Sequence, residues 1–227
     1  MVSQGIPVVA VLRTLEKVYD PPKTFLRFRT PFDLLVVTIL SAQCTDARVN
    51  IVSKSLFARY KKPEDYLRVS REELERDIKS CGTYRNKARF IQELSAILLK
   101  KYGGKVPNSM QELTALPGVG RKTASIILSV IFHKNEGIAV DTHVLRLAQR
   151  LGLSKHSDPI KVELDLMRKT PRERWGELTT LLISHGRAVC TAQNRQCFRC
   201  VFMKECPSSR VTGRSDKAKT KRPLRAK

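Results

Sequence analysis

Lys122 follows directly on the run Leu116-Pro117-Gly118-Val119-Gly120-Arg121, and Asp141 lies nineteen positions further on, in Val140-Asp141-Thr142-His143. An amine held beside a bound phosphate backbone, with a carboxylate to work alongside it, is equipment for chemistry at a sugar carbon. Gly118 and Gly120 lack Cβ atoms, so the main chain can turn sharply there and let a ligand approach. N–H groups at the start of the following helix would draw a phosphate oxygen by hydrogen bonding and through the helix dipole. Lys122 falls in the first turn of that helix. A cation there opposes the dipole and adjacent Arg121 repels it, conditions that favour the nucleophilic amine. Holding a phosphate as a plain cation is the rival use of the residue. Asp141 also carries two readings: the N-cap of its own helix, or a carboxylate that steadies positive charge developing on a sugar.

A second constellation is made of thiols. Of the six cysteines, four crowd into the spacing C-x6-C-x2-C-x5-C as Cys190, Cys197, Cys200 and Cys206. Four thiolates this close suit either tetrahedral zinc or a [4Fe–4S] cluster. Arg195, Arg199 and Lys204 lie among them, in loops whose path a metal would fix, so the cluster reads as a structural device presenting cations to phosphates. Cys44 and Cys81 stand apart in apolar-periodic segments and read as small core residues.

The elements that must position these groups are helical. Apolar residues recur at three- and four-residue spacing over 7–18, 31–40, 45–60, 86–102, 121–133 and 175–187, with shorter helices after Ser70, Ser109, Asp141 and Asp158. Gly82 and Gly103-Gly104 are the expected stops for two of them. No segment alternates as a strand does, which predicts an all-α fold. The chain carries 43 Lys and Arg against 21 Asp and Glu, a net charge of +22. Such an excess repels itself unless a polyanion sits opposite, which makes nucleic acid the leading partner. A membrane surface is the rival, but no basic amphipathic helix with an aromatic face is evident, and no apolar run reaches spanning length. The N-terminal apolar patch lacks the flanks of a signal peptide, so an intracellular, DNA-associated protein is expected. Residues 208–227 are basic and nearly devoid of apolar side chains, and a disordered tail is expected there.

The segments 116–124 and 140–143, with the cysteine run, resemble endonuclease III, a helix–hairpin–helix DNA glycosylase with AP-lyase activity. Leu40-Ser41-Ala42-Gln43-Cys44-Thr45-Asp46, Asn86-Lys87-Ala88 and His185-Gly186-Arg187 match it as well. The resemblance covers roughly residues 32–207. It implies two helical domains with DNA in the cleft between them. One is a six-helix barrel over 24–134 with the helix–hairpin–helix at 109–133. The other joins an N-terminal helix within 1–23 to residues 135–207, around a [4Fe–4S] cluster held by the loop 190–206. Lys122 corresponds to the family's nucleophile, Asp141 to its partner carboxylate, and the four cysteines to its cluster ligands. Gln43 corresponds to a residue that fills the space vacated in the base stack. DNA contacts are expected from Gln43, Thr83, Leu116, Gly118, Val119, Gly120, His143, Arg187, Arg195 and Arg199.

The implied partner is double-stranded DNA carrying damaged bases or abasic sites, handled by a monomer. The implied chemistry is excision of an oxidised pyrimidine through a lysine Schiff base, then β-elimination 3′ to the lesion. The sequence departs from the pattern at Thr83, where bacterial members carry a leucine wedge. Two alternatives stand beside this reading. A monofunctional mismatch glycosylase is disfavoured by the presence of Lys122. A noncatalytic DNA-binding protein would need neither Lys122 nor Asp141.

Overall fold

The computed structural model describes residues 5–20 and 24–211. Most of the basic tail, residues 212–227, lies outside them. Eleven α-helices are described: α1 (Val8–Glu16), α2 (Pro31–Leu40), α3 (Asp46–Arg59), α4 (Pro63–Leu67), α5 (Arg71–Ile78), α6 (Tyr84–Tyr102), α7 (Met110–Thr114), α8 (Arg121–Phe132), α9 (Thr142–Arg150), α10 (Pro159–Lys169) and α11 (Trp175–Ala188). Among the described residues the only extended pairing is an isolated bridge between Cys190 and Arg195, so the all-α expectation holds. The chain divides into two compact units, Thr24–Glu136 and the combination of Met1–Lys23 with Gly137–Lys227.

In the Thr24–Glu136 unit, α2 is the central strut. Every residue from Phe32 to Leu40 is buried, which is why this stretch reads as a nearly continuous apolar run, interrupted by Asp33 and Thr38, rather than an amphipathic one. Its start is fixed by Thr30, whose Oγ1 accepts from Asp33 N at 3.0 Å, and by Pro31 in the first helical position, where a missing N–H costs nothing. The helices α3, α6 and α8 pack against it.

Two local departures from the sequence reading occur here. Helix α6 begins at Tyr84 rather than Asn86, because Thr83 turns the chain with φ +40 and hands it straight into the helix. The five-residue α4 was not expected, being too short to show periodicity. Buried Tyr66 anchors it, and α6 holds it through Gln92, whose amide donates to Tyr66 O and Val69 O at 3.1 Å each.

The other unit packs α1, α9, α10 and α11 around Val11, Leu12, Leu147, Val162, Leu166 and Leu182. Ile6 N donates to Leu151 O at 3.0 Å, tying the segment before α1 to the end of α9. Helices α9 and α11 approach closely because Gly186 has no side chain. A Cβ there would sit 3.0 Å from His143 Nδ1 and 3.2 Å from Leu147 Cδ1. Beyond Ala188 the chain runs through loops, and Phe202 is the buried apolar side chain that secures them.

Candidate active site and cysteine centre

The hairpin between α7 and α8 is built from its ends inward. Ser109 caps α7: its Oγ accepts from Glu112 N at 3.3 Å and donates to Glu112 Oε2 at 2.8 Å. Lys134, just past α8, donates to Asn108 O at 2.9 Å, just before α7, so the two ends are stapled together. Between the helices, Val119 N donates to Leu116 O at 3.1 Å, closing a four-residue turn. Pro117 takes its second position and Gly118, with φ +75, its third. That is the arrangement a type II turn requires. A Cβ on Gly118 would lie 3.0 Å from the Phe90 side chain, so the position excludes a larger residue twice over.

Leu116 and Val119 are buried, and they nail the turn to the core. Any contact they make with DNA must come from main-chain atoms. Gly120 opens α8 with extended backbone and no side-chain cap, and a Cβ there would meet nothing within 4 Å. The start of α8 therefore offers approachable main chain, as an anion site needs. Lys122 is the second residue of α8 and is exposed, while Ala124, Ile127 and Leu128 face the core. The hairpin thus presents an amine to solvent from a rigid base.

Gln43 and Thr83 are exposed in the same unit, each at a loop tip and each with a left-handed backbone, φ +52 and φ +40. In the other unit Asp141 is the N-cap of α9, its Oδ1 accepting from Val144 N at 2.8 Å. Capping engages one carboxylate oxygen, so the two readings of Asp141 are compatible. His143 points back along α9, its Nδ1 3.0 Å from Arg146 Nη2. Arg187 and Arg199 are exposed, the latter donating to Gln196 Oε1 at 2.9 Å. Arg195 turns inward: Nη1 donates to Ser208 O at 3.0 Å, and its buried Nε–H has no hydrogen-bond partner.

Cys190, Cys197, Cys200 and Cys206 line a single cavity of about 350 Å³, counting its mouth to solvent, with Arg195 and His185 in its wall. Among the described residues no three side chains of ligand type converge as they would on a single ion. Four thiols lining one cavity are a donor set that a [4Fe–4S] group takes. Arg195, in the wall of that cavity, carries a buried Nε–H with no hydrogen-bond partner, an orphan donor that needs an acceptor.

Burial pushes the Cys200 thiol up to about 11 and raises Cys206 as well. Bare thiolates are thus unwelcome here without a compensating positive group. His185 is buried beside them and burial brings its pKa down to about 4, so the ring is neutral. Tyr19 Oη lies 3.0 Å from its Nδ1 and Cys200 Sγ lies 3.4 Å from its Nε2. With the phenol donating to Nδ1, the other ring nitrogen carries the proton and points it at sulfur. The residues present fit an iron–sulfur group.

Sequence reasoning missed the two arginines that frame this loop. From one face of α9, Arg146 donates to Gly186 O (3.1 Å) and Cys190 O (3.2 Å), while Arg150 donates to Thr191 O (2.7 Å) and Ala192 O (3.1 Å). Their four-residue spacing on a helix with a strongly segregated apolar face was the available signal.

An all-helical fold, a glycine hairpin feeding an exposed lysine and a four-cysteine loop together define a helix–hairpin–helix protein of the base-excision class. Residues 36–172 match the family model described as HhH-GPD superfamily base excision DNA repair protein. The chain is 52% identical over 177 residues to endonuclease III of Bacillus subtilis (strain 168), covering 78% of this chain and 80% of that one. It is 44% identical over 212 residues to endonuclease III of Synechocystis sp. (strain ATCC 27184 / PCC 6803 / Kazusa), covering 93% and 97%. A structure of a trapped endonuclease III–DNA covalent intermediate matches with TM-score 0.82 and 45% identity, over 89% of this chain and 93% of that one. The chain belongs to the HhH-GPD superfamily and, within it, to the endonuclease III family.

Proposed function

We propose that this chain is a bifunctional DNA glycosylase and AP lyase of base excision repair. It acts as a single chain on double-stranded DNA containing oxidised pyrimidines or abasic sites. The hairpin main chain at 118–120 grips a phosphate, and the damaged nucleotide leaves the stack at a cost of a few kcal/mol, least where stacking is already weak. Lys122 Nζ attacks C1′ of the deoxyribose as the glycosidic bond breaks, and the base departs with the electron pair of that bond. Asp141, in its Val140-Asp141-Thr142-His143 motif, is the carboxylate that steadies positive charge at the sugar. Ring opening gives a Schiff base between Lys122 and C1′. The iminium makes a C2′ proton acidic; its removal expels the 3′ phosphate by cleavage of the C3′–O bond. Water then releases the sugar fragment from the lysine.

Cys190, Cys197, Cys200 and Cys206 would hold a [4Fe–4S] cluster, whose contribution is to fix the loop that carries Arg195 and Arg199. His185 Nε2 stands 3.4 Å from Cys200 Sγ, and Arg195 lines the same cavity with an unpartnered Nε–H.

The observation that carries the proposal is the exposed Lys122 at the second position of α8, directly behind an uncapped glycine turn. Borohydride added during incubation with a duplex containing thymine glycol is expected to leave a covalent protein–DNA adduct. Lys122→Gln is expected to abolish the adduct and lower excision by at least about a thousandfold, as removal of a covalent nucleophile does. Trapping that survives in the variant removes Lys122 from its role.

A further inference from the structure

Lys87 is buried and, among the described residues, its ammonium reaches no carboxylate. Nζ donates instead to three backbone carbonyls, Leu40 O at 2.8 Å, Ala42 O at 2.7 Å and Cys81 O at 2.5 Å. An ammonium has three N–H donors, so its capacity is matched by these acceptors. The carbonyls belong to two loops far apart in sequence. One leaves α2 and carries Gln43; the other leaves α5 and carries Thr83. The loops lie side by side, since a Cβ placed on Gly82 would be 3.9 Å from Gln43 O.

The residues flanking this grip are held in uncommon backbone conformations. Gln43 has φ +52, and Thr83, a β-branched residue for which the left-handed region is least hospitable, has φ +40. Strain of this kind persists only where the surroundings over-determine it. Helix α6 itself begins at Tyr84, so Lys87 stands one turn into the helix that Thr83 launches. Burial pulls the Lys87 pKa below its ordinary value, with Cys44 and Cys81 nearby opposing that shift. A lysine so costly to bury is not needed to fill space.

We propose that Lys87 is a positioning residue for base extrusion: it clamps the Gln43 and Thr83 loops into one rigid wedge that supports the opened duplex. This rests on the reading of those two residues as DNA contacts. It makes the wedge a property of two strained backbones held by one cation, which lets a small side chain such as Thr83 serve where a bulky one is not available. Lys87 acts through the loops and takes no part in the Schiff-base chemistry.

The test compares two substrates. Excision from a duplex lesion needs the wedge; strand cleavage at an abasic site in single-stranded DNA does not. Lys87→Met is expected to lower the duplex rate by about tenfold or more and the single-strand rate by no more than about twofold. Equal losses on both substrates would mean a merely structural role and overturn the proposal. If Lys87→Met does not melt cooperatively, the same ratio is read in Lys87→Arg and Lys87→Gln; the arginine, which keeps the cation, must preserve duplex selectivity better, and no difference between them overturns the idea.

In a Gln43→Ala background the additional duplex loss from Lys87→Met should shrink to about twofold, because the residue being positioned is gone; an undiminished loss counts against the proposal. The underlying reading fails separately, if Gln43→Ala and Thr83→Ala leave duplex excision unchanged. Should the chain form no Schiff base at all, fluorescence of 2-aminopurine opposite a bound abasic-site analogue still reports the wedge, and that signal must fall in Lys87→Met.

Discussion

The loop pair around Lys87 and the cysteine loop after α11 are organised by the same device and end in different states. In both, cations from a neighbouring helix donate to backbone carbonyls: Lys87 to Leu40, Ala42 and Cys81, and Arg146 with Arg150 to Gly186, Cys190, Thr191 and Ala192. The Lys87 loops spring from the ends of α2 and α5, whose apolar faces are in the core, so the clamp finishes a structure that packing has nearly completed. The cysteine loop has Phe202 for an anchor, an orphan Arg195 Nε–H and thiols whose ionisation burial opposes. Carbonyl clamps finish the Lys87 loops against a dense core; the cysteine loop has Phe202 and its half-buried thiols behind it, and on the proposed function a cofactor would complete it. Positive charge on this chain is therefore not a map of its DNA contacts, because part of it is turned inward against its own main chain.

The comparison can be broken most severely at the thiols. Cys200→Ala is expected to abolish the broad visible absorbance of an iron–sulfur chromophore and to expose amides of 190–206 to rapid hydrogen exchange, while amides of α2 and α8 keep their protection. The loss of a structural metal group commonly removes the whole folding free energy of a loop that lacks its own core. An unchanged spectrum and unchanged exchange would show that the loop stands without a cofactor, and the contrast between the two regions would collapse.

A smaller effect is expected at Gly118. Alanine there must adopt φ +75 and meet Phe90 at 3.0 Å. Gly118→Ala should destabilise the protein by about 1–3 kcal/mol, the usual cost of a non-glycine residue held in the left-handed region. It should also weaken binding to undamaged duplex, since the turn presents main-chain groups rather than side chains. Thermal melting and a binding titration at fixed salt check both; a variant as stable and as tightly bound as the wild type would mean that the turn is free to relax.

What could be read from the sequence follows the same division. Helices α3, α6, α8 and α11 were legible because burial of one face imposes a period, and α2 because nearly all of its residues are apolar. The hairpin was legible because Gly118 answers a backbone demand that few residues meet. The cysteine run was legible from spacing. Lys87, Arg146 and Arg150 were not, because a lysine or arginine that will grip carbonyls looks in sequence like one that will grip phosphates. The left-handed backbone of Gln43 and Thr83 was hidden for a related reason: the nearby carbonyls Ala42 O and Cys81 O are held by Lys87, and nothing in the local sequence announces that grip. Arg195, expected among the DNA contacts, also gives a hydrogen bond to Ser208 O, which its sequence position did not announce. The departure of Thr83 from the family's leucine was visible, but its physical setting was not.

The finest test of the comparison is Arg150→Met, where the expected effect is smallest. Arg150 gives hydrogen bonds to Thr191 O and Ala192 O and lies 3.3 Å from Cys190 Sγ. Methionine keeps the length of the stem and removes every donor. The carbonyls it abandons belong to residues that are at least partly accessible, so water can replace the lost partners and the penalty should be about 1 kcal/mol rather than the full cost of an orphaned buried group. If the cofactor carries most of the loop's order, the loaded protein should show slightly faster exchange at 190–192 and retain both its visible absorbance and its adduct-forming ability. A loss as large as that of Cys200→Ala would reverse the interpretation, making the arginine clamp the principal scaffold and the two regions alike after all.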